Sequence, residues 1–113
     1  MAAPTASCAD APVAPFSAGR GRTTVDVPPD ACDCHVHLYD ARYPAAAGAT
    51  LRPPDAGAAD YRQLQRRTRT QRVVFVTPST YGTDNRPLCD ALEAFGPKAR
   101  GVAVVDEQVG DTE

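Results

Sequence analysis

The sequence predicts an α/β fold in which short parallel strands alternate with helices, in the order β-loop-α-β-loop-α-β. Two observations carry this prediction. The runs "RVVFVTP" (72–78) and "GVAVVD" (101–106) are nearly continuous in apolar, mostly β-branched residues, the pattern of strands covered on both faces of a parallel sheet. Helical patterns fill the intervals before and between these runs, and helical crossovers join parallel strands with a right-handed connection.

Taken in order, residues 1–28 are rich in Ala, Pro, Ser and Gly with little hydrophobic periodicity. They read as a flexible leader that cannot offset its ordering entropy by burial. "ACDCHVHL" (31–38) follows Pro28 and Pro29, which discourage a helix, and reads as a short first strand. A long loop over 40–56, loaded with Ala, Pro and Gly, comes next. The segment 58–68, "AADYRQLQRRT", suits a helix with Tyr61 and Leu64 on its apolar side and Asp55 or Asp60 near its start.

Val73 to Val76 form the second strand, which Pro78 stops. "TDNRPLCDALEAFGP" (83–97) is the clearest helix: Asp84 or Asn85 can cap it and Pro87 falls in its first turn. Leu88, Ala91, Leu92 and Phe95 recur at i, i+3, i+4 and i+7, and Gly96 with Pro97 ends the helix. A third strand is expected over 101–106. The folded part is expected over 29–108, with 109–113 as a polar tail.

A length of 113 residues fits one small domain. The net charge of −2 and pI near 5.6 give no general attraction to nucleic acid or anionic membrane. Arginines 62, 66, 67, 69 and 72 are therefore read as a solvated outer helix face. No apolar run approaches the roughly 18 residues of a membrane span. The N-terminus lacks the basic and apolar regions of a secretory signal, so a cytoplasmic location with reduced thiols is expected. Cys8, Cys32, Cys34 and Cys89 match no disulfide framework, and Cys32 and Cys34 are one residue apart rather than the two of CxxC. Neither GxGxxG nor P-loop spacing is present.

Strand alternation places Asp33, His35 and His37 on one face and Cys32, Cys34, Val36 and Leu38 on the other. This separates the sulfurs from the imidazoles, and the two cysteines are expected to pack as small apolar residues beneath a helix. Two buried imidazoles on one face need partners, because an unpaired buried polar group costs about 1–3 kcal/mol. They are two ligands, short of the three protein ligands of a catalytic zinc. Their other use is to hold a bound carbonyl or carboxylate. Ser79, Thr80 and Tyr81 follow the second strand at its carboxyl end, where α/β sheets place ligands, and can serve there or simply form a hydroxyl-rich turn.

"DCHVH", the long loop, "VVFVTPSTYGTDNRPLCDAL" and "ARGVAVVD" together resemble the amidohydrolase superfamily over about residues 29–106. The likeness is to its amidohydrolase-2 branch, which includes 2-pyrone-4,6-dicarboxylate lactonases and galactarolactone isomerases. The resemblance implies a TIM-type (β/α)8 barrel with its site at the carboxyl ends of the strands, hydrolysing a carboxylated lactone. His35 and His37 match the first-strand HxH, catalytic in the lactonase-like branch and metal-binding in other members. It implies no cofactor or one divalent metal such as zinc, and Ser79 matches a substrate-holding serine.

A full barrel needs about 250 residues, so the chain is expected to be the N-terminal β-α-β-α-β part, truncated after strand three and inactive alone. The general base and the substrate arginines are then missing, and self-association through exposed sheet edges is expected. The other reading of the same residues is a small, non-catalytic α/β binding or interaction module.

Overall fold

The computed structural model describes residues 19–110. Residues 1–18 of the expected leader, including Cys8, and residues 111–113 of the expected tail lie outside the described residues. Strand β1 (Cys32–Val36) is followed by helix α1 (Ala58–Thr68), strand β2 (Arg72–Val76), helix α2 (Arg86–Phe95) and strand β3 (Ala99–Val102). The strands lie side by side in the order β1-β2-β3, and both pairings are parallel. The α/β class and the order of elements are those the sequence predicts.

The helices begin and end for local reasons. At the start of α1, the Gly57 amide donates to the Asp60 carboxylate over 3.0 Å, satisfying a backbone group that the helix itself leaves unpaired. The helix closes at Arg69, which adopts a left-handed conformation and donates its amide to the Gln65 carbonyl. Pro87 sits in the first turn of α2, where its missing N–H costs nothing, and Gly96 (φ +63°) terminates the helix with its amide on Leu92.

One apolar layer holds the helices to the sheet. Tyr61, Val73, Phe75, Leu88, Ala91 and Ala99 form its buried centre, with Val36, Leu38, Leu64, Leu92 and Phe95 packed around it. Phe75 meets Phe95 edge to face at 4.9 Å and Tyr61 at 5.6 Å, geometry that aromatic quadrupoles favour. Gly101 admits α2 to this layer. A Cβ there would come within 3.0 Å of the Leu92 side chain and 3.1 Å of Leu88.

Two expectations need correction. The third strand starts and stops earlier than the apolar run 101–106 implies. The three-residue turn Gly96–Lys98 delivers the chain straight into register, with Ala99 opposite Val73, and pairing ends at Val102 opposite Val76. Beyond it, Asn85 replaces the ladder: the Val104 amide donates to its side-chain oxygen over 3.0 Å, and its amide nitrogen donates to the Val104 carbonyl over 2.8 Å.

The second correction concerns β1. Asp33 pairs with Val73 and Val36 with Phe75, so three residue steps in β1 oppose two in β2. Such a bulge breaks the alternation of faces. Asp33 consequently turns toward α1, where it accepts a hydrogen bond from the buried Tyr61 hydroxyl at 3.3 Å, while Val36 packs on the core. Burial, reinforced by the Asp33 charge, pushes the Tyr61 phenol pKa up. Cys32 is only half-buried and Cys34 is exposed, so these cysteines are not packed beneath a helix.

Candidate functional site

The carboxyl ends of β1 and β2 bring the expected residues together in part. The His35 and His37 rings lie side by side, centroids 4.9 Å apart and planes at 89°. This is the pairing that the spacing predicts. Both side chains are exposed among the described residues, so the cost of burying them, invoked from sequence, does not operate. His37 stands one residue beyond β1, and its Nδ1 lies 2.9 Å from the carbonyl oxygen of Val76, the last residue of β2. Tyr39 follows with its ring 6.3 Å from that of His37.

Ser79 opens a short turn (Ser79–Tyr81) directly after β2 and is exposed at the same end of the sheet as His37. Its neighbours do something the sequence did not reveal. Thr80 is buried; its hydroxyl donates to the Leu51 carbonyl over 2.8 Å, and its own carbonyl accepts the Ala46 amide over 2.8 Å. Tyr81, also buried, receives the Asp40 amide on its hydroxyl. The hydroxyl run read as a ligand site or a turn is thus divided: Ser79 is presented outward while Thr80 and Tyr81 fasten the 40–56 loop. No periodicity marks such long-range tethers.

The loop is fastened a third time by Tyr43. Its hydroxyl donates to the Asp90 carboxylate of α2, and its ring lies 6.4 Å from that of Tyr81. Arg42 and Arg86 each hold a guanidinium 5.7 Å from the Tyr43 ring. Each of these arginines is bound to an aspartate two residues earlier, Arg42 to Asp40 at 2.6 Å and Arg86 to Asp84 at 2.7 Å. Those hydrogen bonds hold the Asp40 and Asp84 carboxyls below the usual carboxylate range. Arg52 remains exposed, its Nε donating to the Ala49 carbonyl over 3.3 Å. A hollow of about 160 Å³ opens between the loop and the turn, with Tyr39, Arg52, Asp55 and Tyr81 on its walls. A second, of about 150 Å³, adjoins His37 between Leu38, Ala56 and Leu64.

As metal ligands, His35 and His37 would supply two imidazole nitrogens. Among the described residues no third His, Cys, Asp or Glu joins them in a set that could hold a metal ion. With two of the three ligands that catalytic zinc requires, these residues do not make a zinc site by themselves.

From the first residue of β1 onward, residues 32–113 match the sequence model of the Amidohydrolase family. The chain belongs to the amidohydrolase family. Within it, this amidohydrolase chain is similar to the 2-pyrone-4,6-dicarboxylate hydrolase of Comamonas testosteroni, at 35% identity over 89 residues, 77% of this chain. It is also similar to the D-galactarolactone isomerase of Agrobacterium fabrum, at 31% identity over 81 residues, 70% of this chain. The chain spans 29% and 28% of the length of these two relatives.

Solved structures agree in fold. A probable 2-pyrone-4,6-dicarboxylic acid hydrolase from Acinetobacter baumannii, crystallised with citric acid, superposes with a TM-score of 0.68 at 22% identity, over 72% of this chain and 31% of its own. An apo structure from Agrobacterium tumefaciens gives a TM-score of 0.62 at 25% identity, over 75% of this chain and 31% of its own. The amidohydrolase sheet described here is accordingly the N-terminal β-α-β-α-β part of a TIM-type barrel. In such barrels reacting groups gather at the carboxyl ends of the strands, the end at which His37, Val76 and Ser79 stand.

Proposed function

We propose that this amidohydrolase-family protein is a hydrolase of carboxylated lactones or similar cyclic esters, of the 2-pyrone-4,6-dicarboxylate or sugar-lactone kind. The observation that carries the reading is the pair of adjacent, outward-facing imidazoles His35 and His37 at the carboxyl end of the sheet. The activities named for its relatives on a pyrone dicarboxylate and a galactarolactone support the substrate class. Water attacks the ring carbonyl carbon, the carbonyl electrons move onto oxygen, and the ring C–O bond then breaks to give the hydroxy acid. His35 and His37 line the reacting carbonyl, His35 donating to the developing oxyanion, and Ser79 holds the substrate. The reaction takes place in the cytoplasm on a small molecule, with no nucleic acid or membrane partner.

By the family resemblance the base that activates water is an aspartate on strand eight, beyond the three strands described, and positioned proton transfer typically contributes 10²–10⁴-fold. The 113-residue chain alone is therefore expected to show no lactone turnover. A chimera tests the whole reading. Residues 29–106 would replace the matching segment of the Comamonas testosteroni relative, and hydrolysis of 2-pyrone-4,6-dicarboxylate would be followed. His35→Ala should lower kcat/KM by roughly 10²–10³-fold, the size of losing one oxyanion donor, His37→Ala should lower it as well by removing the second imidazole beside the carbonyl, and Ser79→Ala should chiefly raise KM. A folded chimera without turnover, or one indifferent to both histidine changes, sinks the proposal.

A further inference from the structure

We infer that the Val76 carbonyl fixes the tautomer of His37 and makes its Nε2 the hydrogen-bond acceptor of the site, a seat for a water molecule or a ligand hydroxyl. A carbonyl oxygen can only accept, so at 2.9 Å the proton of this hydrogen bond belongs to His37 Nδ1. A neutral imidazole carries a single N–H, and with that hydrogen on Nδ1 the Nε2 atom presents a lone pair. The acceptor is held firmly. Val76 ends β2, opposite Val102, and the next amide, Thr77, is bound to the Val102 carbonyl over 3.0 Å, so the Val76 carbonyl is aimed by the sheet. The bulge in β1 brings the imidazole to it: Val36 and Phe75 are the last paired positions, and His37 and Val76 are the residues that follow each. His35 packs edge to face against the His37 ring.

Resting on the lactone reading, this divides the work of the two histidines. In this tautomer Nε2 of His37 has no hydrogen to donate to a carbonyl oxygen, so that contact falls to His35, while Nε2 of His37 orders the hydroxyl or water beside it.

The test needs no turnover, so it can fail while the lactone reading stands, and the reverse. The full chain contains only two histidines, and His35→Gln identifies the remaining ring by subtraction. Long-range proton–nitrogen correlation spectra of ¹⁵N-labelled protein, recorded at alkaline pH, report the tautomer of each. We expect His37 to show a protonated, pyrrole-like Nδ1 and a bare, pyridine-like Nε2. A pyrrole-like Nε2 at His37, or the same averaged mixture in both rings, overturns the inference.

Discussion

The hydroxyl of Tyr81 bonds both backbone groups of Asp40, accepting from its amide at 2.7 Å and donating to its carbonyl at 3.2 Å. One buried side chain thereby ties the exit of β1 to the turn after β2. Tyr81→Phe keeps the ring and its contact with Tyr43 but leaves both Asp40 groups without this partner. The expected loss is about 1–3 kcal/mol in denaturant unfolding, with faster amide exchange across 40–56 than across β2. Unchanged exchange in the loop would show that Tyr81 does not hold it.

Phe75 is the residue whose removal the core tolerates least. It is 2% exposed and meets both Tyr61 and Phe95 edge to face. Phe75→Ala should cost about 3–5 kcal/mol, a large fraction of the roughly 5–15 kcal/mol by which ordinary domains are stable. Val105→Ala, at a side chain 56% exposed, should change the unfolding midpoint little. Equal effects from the two substitutions would mean that the core is not where the packing puts it.

The acid limb of stability should carry the signature of Asp40 and Asp84. Hydrogen bonds from Arg42 and Arg86 depress both carboxyl pKa values in the folded chain. A depressed folded value stabilises above the unfolded carboxylate range, and that contribution disappears as pH falls through the folded value. The arginines are largely solvent-exposed, so the effect is small and screened by salt. Thermal midpoints measured from neutral into the acid range should fall less steeply for the Asp40→Asn, Asp84→Asn double variant than for the parent. A steeper fall in the variant contradicts the assignment.

Association is expected from the open sheet. β1 and β3 are its outer strands, and Val102, Val104, Val105 and Val109 are exposed beyond the core. Unpaired strand edges beside apolar surface invite pairing with another copy. Sedimentation should show concentration-dependent mass, reduced in Val105→Lys. A strictly monomeric sample with one cooperative thermal transition and slow exchange over 73–76 would establish the three-stranded unit as self-sufficient and revive the binding-module reading.

Local chemistry made most of the architecture legible. Asp60 near the start of α1, Pro87 in a first turn, Gly96 at a helix end and the apolar run 73–76 each act through near neighbours in the chain. The bulge in β1 was not legible, because it is set by pairing with β2 and neither glycine nor proline marks it in "CDCHV". The histidine pair stays together with His35 inside the shift and His37 beyond it, while neither Cys32 before it nor Cys34 inside it is packed beneath a helix. The role of Thr80 was hidden for the same reason: its partners Ala46 and Leu51 are about thirty residues away in sequence.

Thr80 also has a bearing on how the protein could be redesigned. Because it grips the chain at Ala46 and again at Leu51, the four residues 47–50 form an excursion whose ends are already fixed. Ala47, Gly48 and Thr50 are exposed, and Gly48 occupies open space. Lengthening a loop with anchored ends costs only about 0.6 kcal/mol per doubling, so insertions between residues 47 and 50 should leave the thermal midpoint nearly unchanged, while equal insertions between Tyr39 and Tyr43 should lower it. The excursion is thus a graft point at which new recognition segments can be installed beside the turn after β2 without renegotiating the sheet beneath them.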